Sequence, residues 1–301
     1  MKNEQLKNFL LLLSLGLCWG PSFLFIKVAI EHIPPITLTF LRITIGAIIL
    51  YTILEIRHTK LPKFGKCWKH FTIMAFFSSA IPFSLFGFGE KYVDSSLAAV
   101  INGSTPLFTI IIAHLATEND RLNTNKIIGS IIGFFGLILL IFPSLTNSNS
   151  SFLGVLCVTT ASICYSIAFI YSKKYIQGFK PLVVPTAQLI MSAIILLPTS
   201  LILENPFEIN YVSLPSILCV FALGILGSAI AFIIYYKLLN DTSASYTSMV
   251  NYITPIFGAI LGYMVLDENL GWNGVIGAIF IIFGVMISNN IIKKKYITKW
   301  I

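Results

Sequence analysis

Residues 79–108 read SAIPFSLFGFGEKYVDSSLAAVINGSTPLF, and residues 228–257 read SAIAFIIYYKLLNDTSASYTSMVNYITPIF. The two stretches align without a gap at an offset of 149 residues and share their first three residues, an asparagine and a threonine-proline pair. A second match, at an offset of 146, sets AIIL at 47–50 on AIIL at 193–196. The repeated unit is far longer than the roughly 20–50 residues of solenoid and propeller repeats. The chain therefore contains two related halves.

The composition is that of a membrane protein. Of the 301 residues, 56% are hydrophobic and 11% are charged, whereas a soluble domain carries about 25% charged residues. The apolar residues form long runs and do not alternate as the segments of a membrane β-barrel do. A helix needs about 20 apolar residues to cross a membrane. We therefore predict an all-α integral membrane protein with ten spans at roughly 8–30, 36–56, 70–91, 94–117, 125–143, 152–175, 183–203, 213–239, 242–266 and 272–292.

The basic residues fall on one side of these ten spans. Lys2 and Lys7 precede the first span, a basic stretch at 57–69 joins the second span to the third, and four lysines at 293–299 follow the last span. Lysine and arginine concentrate in cytoplasmic loops. We therefore expect a multi-pass protein of the inner (plasma) membrane with both termini in the cytoplasm. The net charge of +8 is then expected to face anionic lipid and not nucleic acid.

The two halves are predicted to be residues 1–146 and 147–301, with five spans each. Because five is an odd number, the second half must enter the membrane upside down. Inverted repeats of this kind are typical of secondary transporters with a central site, and their exchange of conformations gives alternating access. The predicted fold class is therefore ten transmembrane helices in two inverted five-helix repeats.

Several motifs resemble the EamA family of the drug/metabolite transporter superfamily, over nearly the whole chain. They are Trp19-Gly20 with Phe23 and Lys27, Arg42 in the second span, the paired stretches 95–108 and 244–257, the acidic residues Glu118 and Glu268 after them, and the glycine-rich fifth and tenth spans. The resemblance implies a secondary transporter, often an exporter, of a small molecule. Because members move amino acids, nucleosides, cofactors or toxic compounds, it does not imply one substrate. We expect export of amino acids or related metabolites, with import or exchange of a nucleoside- or cofactor-like substrate as the alternative.

Two prolines mark the candidate substrate site. Pro106 and Pro255 occupy matched positions in spans four and nine, and each follows a polar run that contains an asparagine, Asn102 or Asn251. A proline inside a helix frees a backbone carbonyl, which in lipid must face protein, water or a ligand. Matched interrupted helices indicate a substrate site near the membrane midplane. The alternative is a pair of inherited kinks that only shape packing.

Arg42 and Glu90 are the charged candidates within or beside the spans. Arg42 lies about six residues into span two, and its repeat equivalent is Gln188. It either attracts a carboxylate or phosphate of the substrate or pairs with Glu90 or Glu31. Glu90 ends span three, where it takes part either in proton coupling or in a simple interfacial ion pair.

Three aromatic residues, Trp19, Tyr165 and Tyr252, complete the predicted substrate site. Amphipathic rings provide a stacking surface and one polar handle each for a small organic solute. The sequence has no Walker-type phosphate loop, no HExxH motif and no histidine or cysteine spacing of a metal site, so we expect no catalytic residue, cofactor or metal. A membrane-embedded transferase is the weaker alternative because the acids and histidines are scattered. The oligomeric state is left open, and a monomer is compatible with the pattern.

Overall fold

The computed structural model describes residues 2–93, 95–118, 120–145, 151–176, 178–180, 182–209, 211–266 and 272–288. Ten helical segments follow one another in this part of the chain. The first half contains α1 (Lys2–Trp19 and Ser22–Ala29), α2 (Pro35–Ile56), α3 (Lys66–Ala75, Phe76–Ala80 and Ile81–Gly89), α4 (Ser95–Asn102 and Thr105–Ala116) and α5 (Thr124–Leu145). The second half contains α6 (Phe152–Tyr175), α7 (Val183–Leu203), α8 (Leu214–Ala222, Leu223–Ile230 and Ala231–Asp241), α9 (Ala244–Ser248 and Val250–Leu266) and α10 (Trp272–Ser288).

These segments coincide with the ten predicted spans. Seven of the described helices are long and apolar enough to cross a membrane, and α5 and α10 contain shorter apolar helices. The predicted all-α membrane fold is confirmed. Parts of the predictions that concern Glu268 and the basic residues after 288 lie outside the described residues.

Contacts of α1 and α6, the first helices of the two halves, show that the halves are inverted. Lys27, near the end of α1, donates a hydrogen bond to the carbonyl of Glu90 at the end of α3, with an Nζ–O distance of 2.8 Å. Ser151, which precedes α6, donates its backbone N–H to the carbonyl of Tyr92 nearby, at 3.0 Å. α1 therefore ends where its counterpart α6 begins. We name this the Lys27 end of the molecule and the opposite one the Lys173 end, after the matched lysine near the end of α6.

The two halves exchange their first helices. α1 packs against α8 and α9 of the second half, while α6 packs against α3 and α4 of the first half. We call these groups the α1 bundle (α1, α8 and α9) and the α6 bundle (α3, α4 and α6). α2 packs against α7 beside the two bundles, and α5 pairs with α10. The predicted division between residues 146 and 147 lies outside the described residues and stays a prediction.

Glycines bring α5 and α10 into backbone contact. A Cβ atom at Gly129 would lie 2.5 Å from the carbonyl oxygen of Gly284, and one at Gly277 would lie 2.6 Å from that of Gly136. No side chain fits at either crossing. Small residues allow this close approach between helices in a membrane, so these glycines serve packing within the chain.

Candidate functional site

A cavity lies between the α1 bundle and the α6 bundle. Its atom-free space, mouth included, is about 670 Å³. Both bundles and α2 contribute to its lining, which consists of Trp19, Ser22, Phe23, Ile26, Arg42, Ser78, Phe83, Phe86, Asn102, Tyr165, Ala168, Phe169, Phe232, Tyr235, Asn251 and Thr254. A mostly apolar and aromatic lining with a few polar groups is typical of sites for small molecules.

Irregular backbone borders this cavity. α1 is interrupted at Gly20-Pro21, between the lining residues Trp19 and Ser22, and α4 is interrupted directly after Asn102. α3 and α8 each contain a π-helical stretch, at Phe76–Ala80 and Leu223–Ile230. Single π-helical turns occur frequently at functional sites, and broken helices persist at membrane depth only inside protein or along a cavity.

Two asparagines connect the bundles across the cavity. Asn102 Nδ2 in α4 lies 3.3 Å from Asn251 Oδ1 in α9. Thr105 donates its hydroxyl to Asn102 Oδ1 at 3.4 Å, while Asn251 Nδ2 has no partner. The pair is therefore incompletely hydrogen-bonded, and one buried amide donor next to the cavity is left without a partner.

Serines of α6 contact α4 on both sides of its interruption. Ser162 Oγ lies 3.3 Å from the carbonyl oxygen of Ile101 and 3.0 Å from that of Val158 in its own helix. Ser166 Oγ lies 3.1 Å from the carbonyl oxygen of Thr105 and 2.9 Å from that of Ser162. A carbonyl that has lost its helical partner is costly in an apolar environment unless another donor reaches it. At this interruption the Ile101 carbonyl accepts from the backbone N–H and the hydroxyl of Ser104, at 3.0 and 2.6 Å, so it is hydrogen-bonded within α4 itself.

Arg42 is a buried cation in the cavity wall. Its side chain is 3% exposed, and its Cζ lies 4.2 Å from the centroid of the Phe83 ring. Nε has no hydrogen-bond partner, and no carboxylate among the described residues forms an ion pair with the guanidinium. The interpretation of Arg42 as the ion-pair partner of Glu90 or Glu31 is therefore not supported.

Gly227 provides the space for this guanidinium. A Cβ atom at residue 227 would lie 2.9 Å from Arg42 Nη2. The carbonyl of Gly227 accepts a hydrogen bond from Trp19 Nε1 at 3.0 Å. Gly227, in the π-helical stretch of α8, thus both orients the Trp19 ring and leaves space for the Arg42 guanidinium.

The rest of the lining is an aromatic wall shared by both bundles. The ring centroids of Trp19 and Tyr235 are 6.2 Å apart, and those of Phe169 and Tyr235 are 5.4 Å apart. On the α6 bundle, Tyr165 stacks on Phe86 at 6.0 Å. Ring edges and faces at these distances attract one another, so the wall is a preformed surface for an apolar or aromatic solute.

Comparison with known proteins decides the class. The EamA-like transporter family matches this chain twice, over residues 6–142 and 152–290. The chain belongs to the EamA-like transporter family. It is 30% identical over 287 residues to the uncharacterized transporter YoaV of Bacillus subtilis, with 94% of this chain and 97% of that protein covered. It is 26% identical over 281 residues to the protein PagO of Salmonella typhimurium, covering 93% and 91% of the two chains.

A solved crystal structure has the same fold as this EamA-like transporter. It is 18% identical, has a TM-score of 0.79, and covers 96% of this chain and 99% of its own. The family and the relatives establish a multi-pass membrane transporter of small molecules, and they indicate transport and not catalysis. The resemblance found in the motifs is confirmed.

Five of the eight predicted substrate-site residues of the EamA-like transporter line the cavity, and three do not. The five are Trp19, Arg42, Asn102, Tyr165 and Asn251. The other three are Pro106, Tyr252 and Pro255.

The two prolines and Tyr252 are buried behind the lining. Pro106 begins the second part of α4, directly after the interruption, whereas α9 is continuous at Pro255 and irregular at Met249 instead. The Tyr252 side chain turns to α5, where its hydroxyl donates to the carbonyl of Ser130 at 2.9 Å. Glu90 is completely buried at the end of α3 and is not among the lining residues.

Sequence reasoning missed much of the aromatic wall. Phe23 and Phe169 are repeat equivalents, and so are Phe83 and Phe232, and all four line the cavity. Their matched positions were therefore a usable signal. The break in α1 also had a signal, because Gly20-Pro21 lies in the middle of an apolar run.

Matched lysines in this EamA-like transporter connect the two bundles at opposite ends. At the Lys27 end, Lys27 of α1 donates to the carbonyl of Glu90 in the α6 bundle. At the Lys173 end, Lys173 of α6 donates to the carbonyls of Leu239 and Asn240 in the α1 bundle, at 2.9 and 3.1 Å. Lys27 and Lys173 are repeat equivalents, and so are Glu90 and Leu239.

Asp120 adds a second connection at the Lys173 end. This buried carboxylate, between α4 and α5, pairs with Lys126 and accepts the backbone N–H of Ser245 in α9 at 2.8 Å. Burial alone would raise the pKa of the Asp120 carboxyl. The hydrogen bonds from Lys126 and Ser245 and the charge of Lys126 together hold that pKa below its usual value. The negative charge also suits the start of α9, because helix N-termini favour anions.

Proposed function

We propose that this chain is a secondary transporter that exports amino acids or related small organic metabolites across the inner membrane by alternating access. The observation that carries the proposal is the position of the cavity between the α1 bundle and the α6 bundle, which are repeat equivalents of each other. Asn102 of the α6 bundle contacts Asn251 of the α1 bundle there. A solute bound between the bundles is released to either side when the bundles rock about it.

The lysine contacts supply a physical basis for such rocking. Opening the Lys27 end breaks the bond from Lys27 to the carbonyl of Glu90, and opening the Lys173 end breaks the bonds of Lys173. A hydrogen bond that involves a charged group contributes about 1.5–3 kcal/mol, which is small enough for thermal opening. Because the two contacts are repeat equivalents, the inward-open and outward-open states are expected to be close in free energy, as two-state exchange requires.

The charge distribution sets the orientation that we propose. The basic loops favour an orientation with the Lys173 end in the cytoplasm. Asp120 adds a second contact between the bundles at that end, while Ile26 and Phe86 extend the cavity lining towards the Lys27 end. In this conformation the cytoplasmic side is therefore the more firmly closed one. Glu90 stays our candidate for proton coupling, because it is completely buried next to the Lys27 contact.

Counterflow into proteoliposomes tests the transport activity and its substrate class. Vesicles that contain the purified protein are loaded with unlabelled amino acids and mixed with the same amino acids carrying ¹⁴C. We expect protein-dependent accumulation that falls by about tenfold or more in the Asn102→Ala/Asn251→Ala variant, since each lost hydrogen bond contributes about 1 kcal/mol. Accumulation of nucleosides and not amino acids would replace the substrate class and favour the importer or exchanger.

Cysteine labelling tests alternating access. Ser22→Cys, in a background without native cysteines, reports access to the cavity for a membrane-impermeant maleimide added outside intact cells. Lys27→Met is expected to raise the labelling rate, and Lys173→Met is expected to lower it. Lys174→Met is the matched control, because Lys174 bonds to the carbonyl of Ala116 within its own bundle. A change in the same direction for both lysine variants would contradict the mechanism.

A further inference from the structure

We propose that Arg42 binds the carboxylate of the transported molecule, and that the site selects monocarboxylates, zwitterions included, with an apolar body. The inference rests on the proposed transport function and adds the chemical class of its substrate. Arg42 is the residue in the cavity whose charge the described structure leaves without a counter-ion.

The first argument is the cost of leaving this cation alone. A buried charge without a partner is strongly unfavourable, and in membrane proteins such residues mark substrate or ion pathways. Arg42 is nearly fully buried, its Nε has no partner, and its guanidinium rests on the Phe83 face. The ring attracts the cation but leaves the in-plane N–H groups free. Those groups form the fork that matches the two oxygens of a carboxylate.

The second argument is charge balance. Among the described residues that line the cavity, Arg42 is the one cationic side chain, and none is an aspartate or a glutamate. A substrate with one negative group makes this pair neutral. A phosphate monoester or a dicarboxylate would carry a second negative charge into an apolar cavity with no cation to meet it. An ammonium group of a zwitterion can use the asparagine oxygens and the ring faces of Trp19 and Tyr235.

The third argument is the shape of the remaining wall. Phe83, Phe86 and Tyr165 surround the guanidinium side of the cavity, and Trp19 and Tyr235 face them. A solute whose carboxylate binds Arg42 therefore places its body against aromatic rings. Apolar and aromatic bodies gain most from such contact.

Ligand-induced thermal stabilisation of the purified protein tests the inference. The probes are 3-phenylpropionate, L-phenylalanine, 3-phenylpropionamide and succinate, each titrated to obtain a dissociation constant. For the wild-type protein we expect the two monocarboxylates to bind at least about tenfold more tightly than the amide or succinate, because the amide lacks the charge and succinate has one charge too many. This comparison needs no variant. Equal affinity for the acid and its amide would overturn the inference.

Variants at residue 42 supply the second readout. Arg42→Gln is expected to weaken binding of 3-phenylpropionate by about 10- to 100-fold and to leave the amide unchanged. Arg42→Lys, which keeps the charge but not the fork, is expected to fall between the two. Unchanged carboxylate binding in Arg42→Gln would also overturn the inference.

Counterflow separates this failure from failure of the proposed function. If the wild-type protein transports a neutral or cationic solute and binds neither monocarboxylate, the carboxylate site is wrong and the transport function stands. If it binds monocarboxylates through Arg42 but transports no solute, the site stands and the transport proposal fails.

Discussion

Arg42 in α2 and Gln188 in α7 occupy equivalent positions in the two halves, but their surroundings differ. Gln188 is fully buried and lies in a closed hydrogen-bond network. Its Nε2 donates to Ser79 Oγ at 3.2 Å, its Oε1 accepts from the hydroxyl of Tyr236, and Ser79 Oγ lies 2.7 Å from Ser192 Oγ. Arg42 has no such network and lines the cavity.

The difference comes from the residues that face each position. The repeat equivalents of Ser192 and Tyr236 are Gly46 and Gly87, which have no side chain that could complete a network of this kind. The equivalent of Ser79 is Ser228, whose buried hydroxyl has no partner. Gly46 lies so close to Ser228 that a Cβ there would be 2.8 Å from Ser228 Cβ. A few side-chain differences thus separate two equivalent sites. We call the hydrogen-bonded site around Gln188 the locked copy, and the site around Arg42, which is open to a ligand, the open copy.

The largest effect is expected at the locked copy. Gln188→Ala should lower the free energy of unfolding by about 2–4 kcal/mol, because it removes the amide oxygen that accepts from the buried Tyr236 hydroxyl and opens a cavity. Titration with SDS in mixed micelles measures this loss. A loss below about 0.5 kcal/mol would show that the network contributes little to stability.

The open copy should respond in the opposite direction. Arg42→Met should raise the free energy of unfolding by about 1–3 kcal/mol, because a well-packed apolar side chain replaces an unpaired buried charge. The same titration measures the gain, with Gln188→Met as the matched variant at the equivalent position. If Arg42→Met destabilises the protein as much as Gln188→Met does, the two positions do not differ as proposed.

A smaller effect isolates one bond of the locked network. Tyr236→Phe removes only the hydroxyl that donates to Gln188, and should cost about 1–2 kcal/mol. Tyr235→Phe is the control, since the adjacent hydroxyl belongs to a cavity-lining residue; its change in unfolding free energy should stay within about 0.5 kcal/mol. Equal losses in the two variants would assign the effect to the tyrosine rings and not to the network.

The smallest effect concerns Asp120, at the same end as the locked copy. Since its pKa is lowered in the folded protein, its stabilising contribution is present above the unfolded pKa of about 4 and is lost as the pH falls through the folded value. Asp120→Asn should therefore reduce stability by about 1 kcal/mol at pH 7 and by much less near pH 3. Thermal denaturation at both pH values measures the difference, and a difference that does not depend on pH would exclude the ion pair as its cause.

The candidate site was only partly predictable from the sequence. Asn102, Asn251 and Arg42 stand out in the sequence because polar side chains are costly within apolar membrane spans. The structure places all three in the cavity lining. Tyr252 follows Asn251 directly, yet it turns to Ser130 in α5. Which face of a helix borders a cavity depends on the helices packed around it. A run of apolar residues alone does not predict that face.

The sequence by itself determined the two halves, the ten spans and the inversion. Span length follows from the thickness of the hydrocarbon core, and an odd number of spans in each half forces the second half upside down. Only the tertiary structure decided that α1 joins α8 and α9, that Lys27 and Lys173 bridge the bundles at opposite ends, and that Gln188 is closed while Arg42 is open. Those outcomes depend on contacts between residues that are distant in the chain. In an apolar sequence, many ways of pairing the helices would bury a similar apolar area. Side-chain fit and hydrogen-bond partners therefore select the pairing that forms.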